Sequence, residues 1–296
     1  MLSQVGIEAT NACDGGCVMC ARRHSKRPVR HMTVPEFRKV VDEILALGID
    51  SRAQPTGISG IGETTLHPDL RGILEEAQRL HWGLSTNCQH LDGAMCDMLL
   101  EYRPTLVTLS LDGMTNTTMK EIRPGLDAID MNYNATIFLH KLKELPVWDR
   151  DIYLQMVVSK LNAGEVNKWI EYWMPMIEGI PGVRLHVKEV MAWPGLPDTD
   201  KFYPCPPLNI PEHPQIQYSR YGGSLRKSCR LFWDFAWVAS DGTYMPCCMA
   251  ADDLWGAGNV FESSLEWCWK DDRMRQLRFL HEMHRWEDLP LCGQCP

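Results

Sequence analysis

The chain has 296 residues, 45% of them hydrophobic, so it can bury one large core and carry a smaller second domain. Its formal net charge of −8 argues against a nucleic-acid partner, which needs a basic surface, and is compatible with a cationic substrate. Neither a signal peptide nor an apolar run of the roughly 18 residues that span a membrane is present, so we expect a cytoplasmic protein.

The most informative motif follows the first predicted strand, Val5 to Thr10. Cys13, Cys17 and Cys20 lie on one short loop, with three and then two residues between them. Three thiolates can hold three irons of a [4Fe-4S] cube and leave the fourth iron open, whereas electron-transfer clusters take four cysteines. Zinc is the alternative, but it closes its shell with a fourth ligand that this loop lacks. The spacing resembles the cluster loop of the radical S-adenosylmethionine (SAM) enzymes.

Helix and strand patterns alternate from Thr33 to about Val190, as in parallel βα units. A capping box, Thr33 with Glu36, opens an amphipathic helix that ends at Gly48, and Asn162 with Glu165 marks a later helix start. Further strands are predicted at 56–59, 82–86, 106–111, 152–158 and 183–190, and further helices near 68–80, 92–102, 116–122, 129–144 and 163–178. Six strands, each with a helix, resemble the partial (β/α)6 barrel of the radical SAM family, an α/β fold.

Four other segments resemble the SAM contacts of that family. Ile61-Gly62-Glu63 is similar to the Gly-Gly-Glu motif, with isoleucine in place of the first glycine. The stretch from Thr108 to Gly113, with Arg123 beyond it, is similar to the region that holds the ribose and the carboxylate of SAM. The resemblance implies a SAM site formed by Met19, Gly62, Glu63, Ser110 and Arg123, with Asn87 as a further pocket residue.

Residues 194 to 214 contain seven prolines, too many for a helix or a central strand. We interpret 194–228 as a structured connector between a barrel, residues 1–193, and a C-terminal domain, residues 229–296. A plain linker is the alternative.

Four cysteines follow the connector: Cys229, Cys247, Cys292 and Cys295. A glycine turn at Gly242 predicts a β-hairpin, 235–239 with 243–245, and 262–280 is predicted to be one helix. This order resembles the shortened SPASM, or Twitch, domain, which implies a second, auxiliary [4Fe-4S] cluster closed by four thiolates. A structural zinc site would use the same ligands.

Cys248 follows Cys247 directly. If both lie in a strand they point to opposite faces, so that Cys248 faces the barrel while Cys247 binds iron. Radical SAM epimerases return a hydrogen atom from a cysteine to a substrate radical, and those of aminoglycoside biosynthesis resemble this chain. The resemblance implies an epimerase with Cys248 as the catalytic hydrogen donor and an external one-electron reductant such as flavodoxin or ferredoxin.

A cationic amino sugar is the expected substrate. Acidic and tryptophan-rich stretches suit its ammonium groups and its C–H faces, although tryptophans also fill cores. The alternatives are a dehydrogenase that oxidises an aminocyclitol or sugar alcohol, and a peptide-modifying enzyme; the latter is disfavoured because no peptide-binding segment precedes the first strand. The acidic and tryptophan-rich stretches are residues 148–151, 193, 233–234, 237 and 252–255. Cys88, Cys96 and Cys268 are expected to be buried structural thiols, and Cys205 is a rival hydrogen donor.

Overall fold

The structure, a computed structural model, describes residues 2–191, 193–220, 229–252, 255–289 and 291–295. Within them one nine-stranded sheet runs through the molecule. Its strands are β1 (Gln4–Ile7), β2 (Thr56–Gly57), β3 (Trp82–Thr86), β4 (Leu106–Ser110), β5 (Asp151–Val158), β6 (Val183–Glu189), β7 (Ile216–Ser219), β8 (Phe235–Val238) and β9 (Tyr244–Met245). The spatial order is β7-β6-β5-β4-β3-β2-β1-β8-β9, and only β9 runs antiparallel to its neighbour. The edge strands β7 and β9 do not pair, so the barrel is open.

Helices connect the strands: α1 (Val34–Ala46), α2 (Leu70–Ala77), α3 (Gly93–Glu101), α4 (Asn116–Ile122), α5 (Ala128–Glu144), α6 (Val166–Ile177), α7 (Leu231–Asp234), α8 (Leu265–Lys270) and α9 (Asp272–Glu282). The capping box is confirmed, because the Thr33 side chain accepts from the Glu36 N–H and the Glu36 carboxylate accepts from the Thr33 N–H. The α/β class and the six predicted strands are confirmed; the first five strands are each followed by an α-helix, and β6 leads into the connector. No described helix is both long and apolar enough to cross a membrane.

The helices bury one face of the sheet more than the other. Along β5, Ile152, Leu154 and Met156 are buried in the hydrophobic core with the helices, whereas Tyr153 and Gln155 between them are half-buried. The same alternation continues in β6. Successive side chains of a strand point to opposite faces, so the half-exposed set forms a concave inner face that the helices leave open.

One predicted helix start is confirmed without its side-chain cap, and one predicted helix is broken in two. Asn162 directly precedes the helical turn Ala163–Glu165 that leads into α6. Its amide group does not cap this turn, because it donates to the backbone oxygens of Asp112 and Val157 and accepts from Ser159, which joins the ends of β4 and β5. The helix predicted over 262–280 is broken at Asp271, whose carboxylate accepts from the Arg273 N–H and so starts α9 as a separate helix.

The connector and the hairpin both join the barrel sheet. The connector supplies β7, which pairs with β6, so a plain linker is wrong for this part; residues 221–228 lie outside the described residues. The first strand of the predicted hairpin, β8, pairs in parallel with β1, and its second strand β9 returns beside it. At the turn, Gly242 has φ +85°, and a Cβ there would lie 2.4 Å from Asn259 Oδ1. The proposed C-terminal domain therefore shares its sheet with the barrel.

Candidate active site

The carboxyl ends of the parallel strands meet at one end of the sheet, which we call the mouth. The cysteine loop follows β1 there, Glu63 follows β2, Asn87 follows β3 and Asp112 follows β4. In barrels built from parallel βα units, reactive residues collect at this end. The structure thus brings the predicted SAM-binding segments to the same end as the cysteine loop.

The cysteine loop is held from behind by the segment after α4. Gly16 and Val18 donate backbone hydrogen bonds of 2.7 and 3.0 Å to the carbonyl oxygens of Pro124 and Ile122. A Cβ on Gly16 would lie 3.1 Å from the Pro124 oxygen, so a larger residue would push the loop from its support. These contacts keep the loop pressed against the polypeptide that carries Arg123.

The three thiols of the loop are close neighbours. Burial raises the pKa of Cys13 to about 12, and the Cys17 thiolate adds to that shift. Burial also raises the pKa of Cys17 and Cys20, while the positive charge of Arg123 opposes both shifts. The metal-free loop therefore holds protonated thiols beside a cation, and iron binding releases their protons.

The arrangement fits a cube better than a single ion. Among the described residues, no three His, Cys, Asp or Glu side chains converge on one metal position. In a [4Fe-4S] cube each thiolate binds a different iron, so three neighbouring but separate thiols are the expected donor set. The fixed cation of Arg123 suits the negative charge that thiolate-bound iron carries.

Gly62 and Glu63 pack directly on the cysteine loop. The Glu63 N–H donates to the Ala12 oxygen at 2.7 Å, and a Cβ on Gly62 would lie 2.2 Å from the Thr10 oxygen, so the close approach requires glycine. Glu63 is buried, and its carboxylate accepts from the Thr65 hydroxyl at 2.8 Å and the Asn87 N–H at 2.7 Å. Burial raises its pKa. The carboxylate therefore fixes the ends of β2 and β3, and its contact with SAM stays a prediction.

Arg123 forms a buried ion pair that the sequence pattern did not reveal. Its Nε and Nη2 donate to one carboxylate oxygen of Asp112 at 2.7 and 2.5 Å, and the other Asp112 oxygen accepts from the Val157 N–H at 2.7 Å. Asp112 is fully buried. Arginine has five N–H donors, and Asp112 takes two. The pair therefore aims the guanidinium at the cysteine loop and leaves donors for an anion; that this anion is the SAM carboxylate stays a prediction.

Ser110 precedes Asp112 by two residues, and Met19 lies in the cysteine loop between Cys17 and Cys20. Ser110 ends β4 on the inner face, opposite Gln155 of β5, and is nearly buried. Met19 is also nearly buried and belongs to the hydrophobic core. Ser110 lies at the mouth and Met19 lies in the cysteine loop. Their contacts with SAM stay predictions.

The C-terminal cysteines also gather. The Cys229 and Cys292 thiolates contribute to raising the pKa of Cys247, after burial as the largest cause, and Cys295 acts likewise on Cys248. Cys247 and Cys292 are buried. A compact group of thiols that also includes Cys248 fits the soft-ligand requirement of iron-sulfur clusters.

Cys248 occupies a different position from its neighbour. The chain at 247–248 is a turn beyond β9, so the expectation that both lie in a strand is wrong, yet Cys247 is buried and Cys248 is exposed. Burial by surrounding atoms still raises the pKa of Cys248, and the charge of Lys188 opposes this shift. Lys188 belongs to the half-exposed set of β6, so the charge that acts on the Cys248 thiol comes from the inner face.

The rival thiol of Cys205 lies elsewhere. After burial, which raises its pKa to about 11, the nearest charges are those of Glu189 and Arg220. Lys188 and Glu189 are consecutive in β6 and point to opposite faces. The β6 residues whose charges act on the two thiols, Glu189 for Cys205 and Lys188 for Cys248, therefore lie on opposite faces of the strand. Cys88, Cys96 and Cys268 are buried, as expected.

Most of the acidic and tryptophan-rich stretches are far from the mouth. Residues 148–151 precede β5 or begin it, at the opposite end of the sheet, and Asp151 pairs there with Arg184. Trp255 is 1% exposed and belongs to the core. Asp253 lies outside the described residues. Trp193 follows the carboxyl end of β6, and the Trp237 ring covers Gly6 on the inner face. Asp252 accepts from Ser25, beyond the cysteine loop, so these three predicted residues lie toward the site.

A second buried ion pair, also missed from the sequence, connects the two cysteine regions. Arg27 donates to both Glu8 oxygens at 2.8 Å, and the Ser240 hydroxyl donates to Glu8 at 3.0 Å. Arg27 Nε also donates to the Ala251 oxygen at 2.8 Å. The available signal was an acidic residue inside an otherwise apolar first strand, which needs a buried partner.

Two family models match this chain. The model described as radical SAM superfamily covers residues 7–143, and the model described as SPASM, an iron-sulfur cluster-binding domain, covers residues 229–296. The chain therefore carries a radical SAM domain and a SPASM domain. These two domains imply SAM and [4Fe-4S] clusters as cofactors.

Curated and solved relatives agree with this assignment. The tungsten-containing aldehyde ferredoxin oxidoreductase cofactor-modifying protein of Pyrococcus furiosus is 25% identical over 176 residues, 56% of this chain and 46% of that protein. The chain spans less than half the length of the curated relatives it matches. Its fold is similar to BtrN in complex with AdoMet and 2-DOIA (TM-score 0.63, 15% identity, 100% and 93% of the chains). It is also similar to Streptococcus suis SuiB bound to precursor peptide SuiA (TM-score 0.70, 14% identity, 100% and 71%).

Proposed function

We propose that this radical SAM enzyme is an epimerase that inverts one carbon of an aminoglycoside-type amino sugar, with Cys248 as the hydrogen donor. The observation that carries the proposal is the thiol of Cys248, which is exposed and whose pKa is influenced by Lys188 of the inner face. It lies in the turn beyond β9, a strand that runs antiparallel to β8 and so leads away from the mouth. An epimerase needs such a donor across the substrate from the abstracting radical.

The proposed ligands are Cys13, Cys17 and Cys20 for the first cluster and Cys229, Cys247, Cys292 and Cys295 for the second. Met19, Gly62, Glu63, Ser110 and Arg123 are proposed to hold SAM. When bound, the first cluster and SAM supply the 5′-deoxyadenosyl radical that takes a hydrogen atom from the substrate carbon. The Arg123–Asp112 pair is proposed to hold the SAM carboxylate, because a guanidinium anchored on one side presents its remaining donors in a fixed direction.

In the second step Cys248 returns a hydrogen atom to the substrate radical. The S–H bond of Cys248 breaks, and a C–H bond forms on the opposite face of the substrate carbon. The thiyl radical left on Cys248 needs one electron and one proton; water supplies the proton, and a cluster held by Cys229, Cys247, Cys292 and Cys295 would supply the electron from an external flavodoxin or ferredoxin. Each turnover consumes one SAM and yields methionine and 5′-deoxyadenosine.

The inner face supports a sugar. Four of its side chains near the mouth are hydroxyl or amide groups, which match the hydroxyls of a saccharide: Ser85, Ser110, Gln155 and Ser219. Lys188, in register with Ser219, adds a positive charge to the same face. Asp14, in the cysteine loop, is a partly exposed carboxylate that donor groups of His90 and Asn87 hold in place. It is the residue we propose for pairing with a substrate ammonium group.

Two alternatives have an observation in their favour. The similarity to BtrN extends over nearly the whole of both chains, and its ligand 2-DOIA favours a small-molecule reaction without Cys248, such as alcohol oxidation. The similarity to SuiB bound to a precursor peptide favours a peptide substrate. In the dehydrogenase alternative Cys248 is not a hydrogen donor, whereas a peptide epimerase would also use a donor cysteine.

Turnover in D2O with a panel of aminoglycosides and free aminocyclitols tests the proposal. Wild-type protein should place one deuterium at the inverted carbon, because the Cys248 S–H exchanges with solvent. Cys248→Ala should still form 5′-deoxyadenosine but no inverted sugar, and the matched control Cys205→Ala should retain inversion. A product two mass units lighter would instead show a dehydrogenase, and inversion by Cys248→Ala would remove Cys248 from the mechanism.

A further inference from the structure

A buried histidine contacts two of the proposed ligands of the second cluster. His281 lies in α9 and is 1% exposed. Its Nδ1 accepts from the Cys229 N–H at 3.5 Å, and its Nε2 lies 3.6 Å from the Cys292 Sγ. One imidazole thus reaches both the first and the third cysteine of the C-terminal set.

The two contacts fix the proton of the ring. A neutral imidazole carries one N–H, and acceptance at Nδ1 places that hydrogen on Nε2. The Nε2–H therefore points at the Cys292 sulfur as a donor. The ring cannot easily turn away, because the Phe232 ring packs against it with centroids 4.4 Å apart and planes inclined by 36°, and Trp286 lies on the same group of rings.

We propose that His281 is a positioning residue that raises the reduction potential of the second cluster by donating a hydrogen bond to the Cys292 thiolate. The inference rests on the proposed ligand set. Hydrogen bonds to cluster sulfurs are one of the levers that set iron-sulfur potentials. Reduction places one more negative charge on the thiolate sulfurs, and a donor stabilises that charge more than it stabilises the oxidised form.

The reduction potential of the second cluster affects the return of an electron to Cys248. A higher potential makes the second cluster easier to reduce by the external carrier, so that an electron is already in place when the thiyl radical forms. His281 would thereby shorten the lifetime of that radical without touching the substrate. The residue is far along the chain from any SAM-binding motif, which is why motif matching does not reveal it.

The experiment uses the full chain with Cys13, Cys17 and Cys20 replaced by alanine, so that only the second cluster is present. His281→Phe, which keeps a packed ring but has no N–H, is compared with His281→Gln, which restores a donor, and with the control His284→Asn, two residues beyond α9. Iron content, the electron paramagnetic resonance spectrum of the reduced form and the midpoint potential are measured by anaerobic titration.

We expect His281→Phe to keep four irons and to shift the oxidised-to-reduced ratio about tenfold toward the oxidised form, a lowering of 59 mV for one electron. His281→Gln should recover part of the shift, and His284→Asn should show none. A loaded site with an unchanged potential in both His281 variants would overturn the inference alone. Loss of iron in both would instead make His281 a ligand, and a parent chain without iron would overturn the ligand set and the inference together.

Discussion

Replacing Asp112 by asparagine tests how the mouth is held together. Asparagine has nearly the shape of aspartate and can still accept from the Val157 N–H. It cannot balance the Arg123 guanidinium, and one orientation of its amide directs N–H groups at the guanidinium donors. Because Asp112 is fully buried and the Arg123 side chain is 11% exposed, water cannot replace the lost charge.

The magnitude follows from that burial. Removing one partner of a buried ion pair costs about 3 to 5 kcal/mol of the free energy of unfolding. For a chain of this size that loss lowers the melting temperature by roughly 6 to 20 °C. SAM affinity should also fall about tenfold or more, since a guanidinium without its anchor holds a carboxylate less firmly.

Asp97→Asn is the matched control. Asp97 forms an ion pair of 2.6 Å with Lys141, but its side chain is 67% exposed, so its loss should cost about 0 to 1 kcal/mol. Both variants are unfolded thermally as metal-free reduced protein, and SAM binding is measured by calorimetry on the iron-loaded protein. If Asp112→Asn melts within a degree or two of Asp97→Asn, the reasoning about the buried pair is refuted.

Two other predictions concern metal and pH. Anaerobically reconstituted protein should contain about eight irons per chain, two cubes of four. Replacing Cys13, Cys17 and Cys20 by alanine should leave about four irons and abolish SAM cleavage. Zinc in place of those remaining irons would make the C-terminal site a zinc site. Burial, aided by Lys188, lowers the pKa of His186 from 6.5 to about 4. Between those values the unfolded chain binds a proton that the folded chain does not, so stability falls as pH falls from about 6.5 to about 4. In His186→Phe the slope of the free energy of unfolding against pH should be smaller by the equivalent of somewhat less than one bound proton. Equal slopes for the two proteins, measured by urea unfolding at several pH values, would show that His186 is not responsible.

The sequence predicted best what is determined locally. The capping box at Thr33 and the strand from Trp82 to Thr86 were found at their observed positions, because side-chain periodicity and capping depend on neighbours a few residues away. The cysteine spacing likewise indicated the family. Asn162 had the pattern of a cap, but the ends of two strands compete for its amide, and a tertiary contact overrides the local preference.

Contacts between distant residues were not predictable in this way. The pairing of β8 with β1 joins residues more than 200 positions apart, and nothing in the Phe235–Val238 segment distinguishes a barrel strand from an isolated hairpin. The Asp112–Arg123 pair was missed for a related reason. The sequence pattern assigned Arg123 to the SAM carboxylate and gave it no protein partner. That partner, Asp112, follows β4, where an aspartate before glycine has the sequence pattern of a turn.

The shared sheet has a consequence for how the two cysteine regions cooperate. Because β8 pairs with β1 and β9 pairs with β8, the loop after β1 and the turn after β9 are anchored to one sheet rather than to separate bodies. Hydrogen bonds complete the connection: Asp252 accepts from the Ser25 hydroxyl at 2.6 Å and the Lys26 N–H at 3.0 Å, and Arg27 joins Ala251 to the buried Glu8. A linker between independent domains would let the distance between the two cysteine regions vary. Here the backbone ladder fixes it, so a radical formed over the cysteine loop and a thiol at Cys248 can face each other across one substrate without a domain movement.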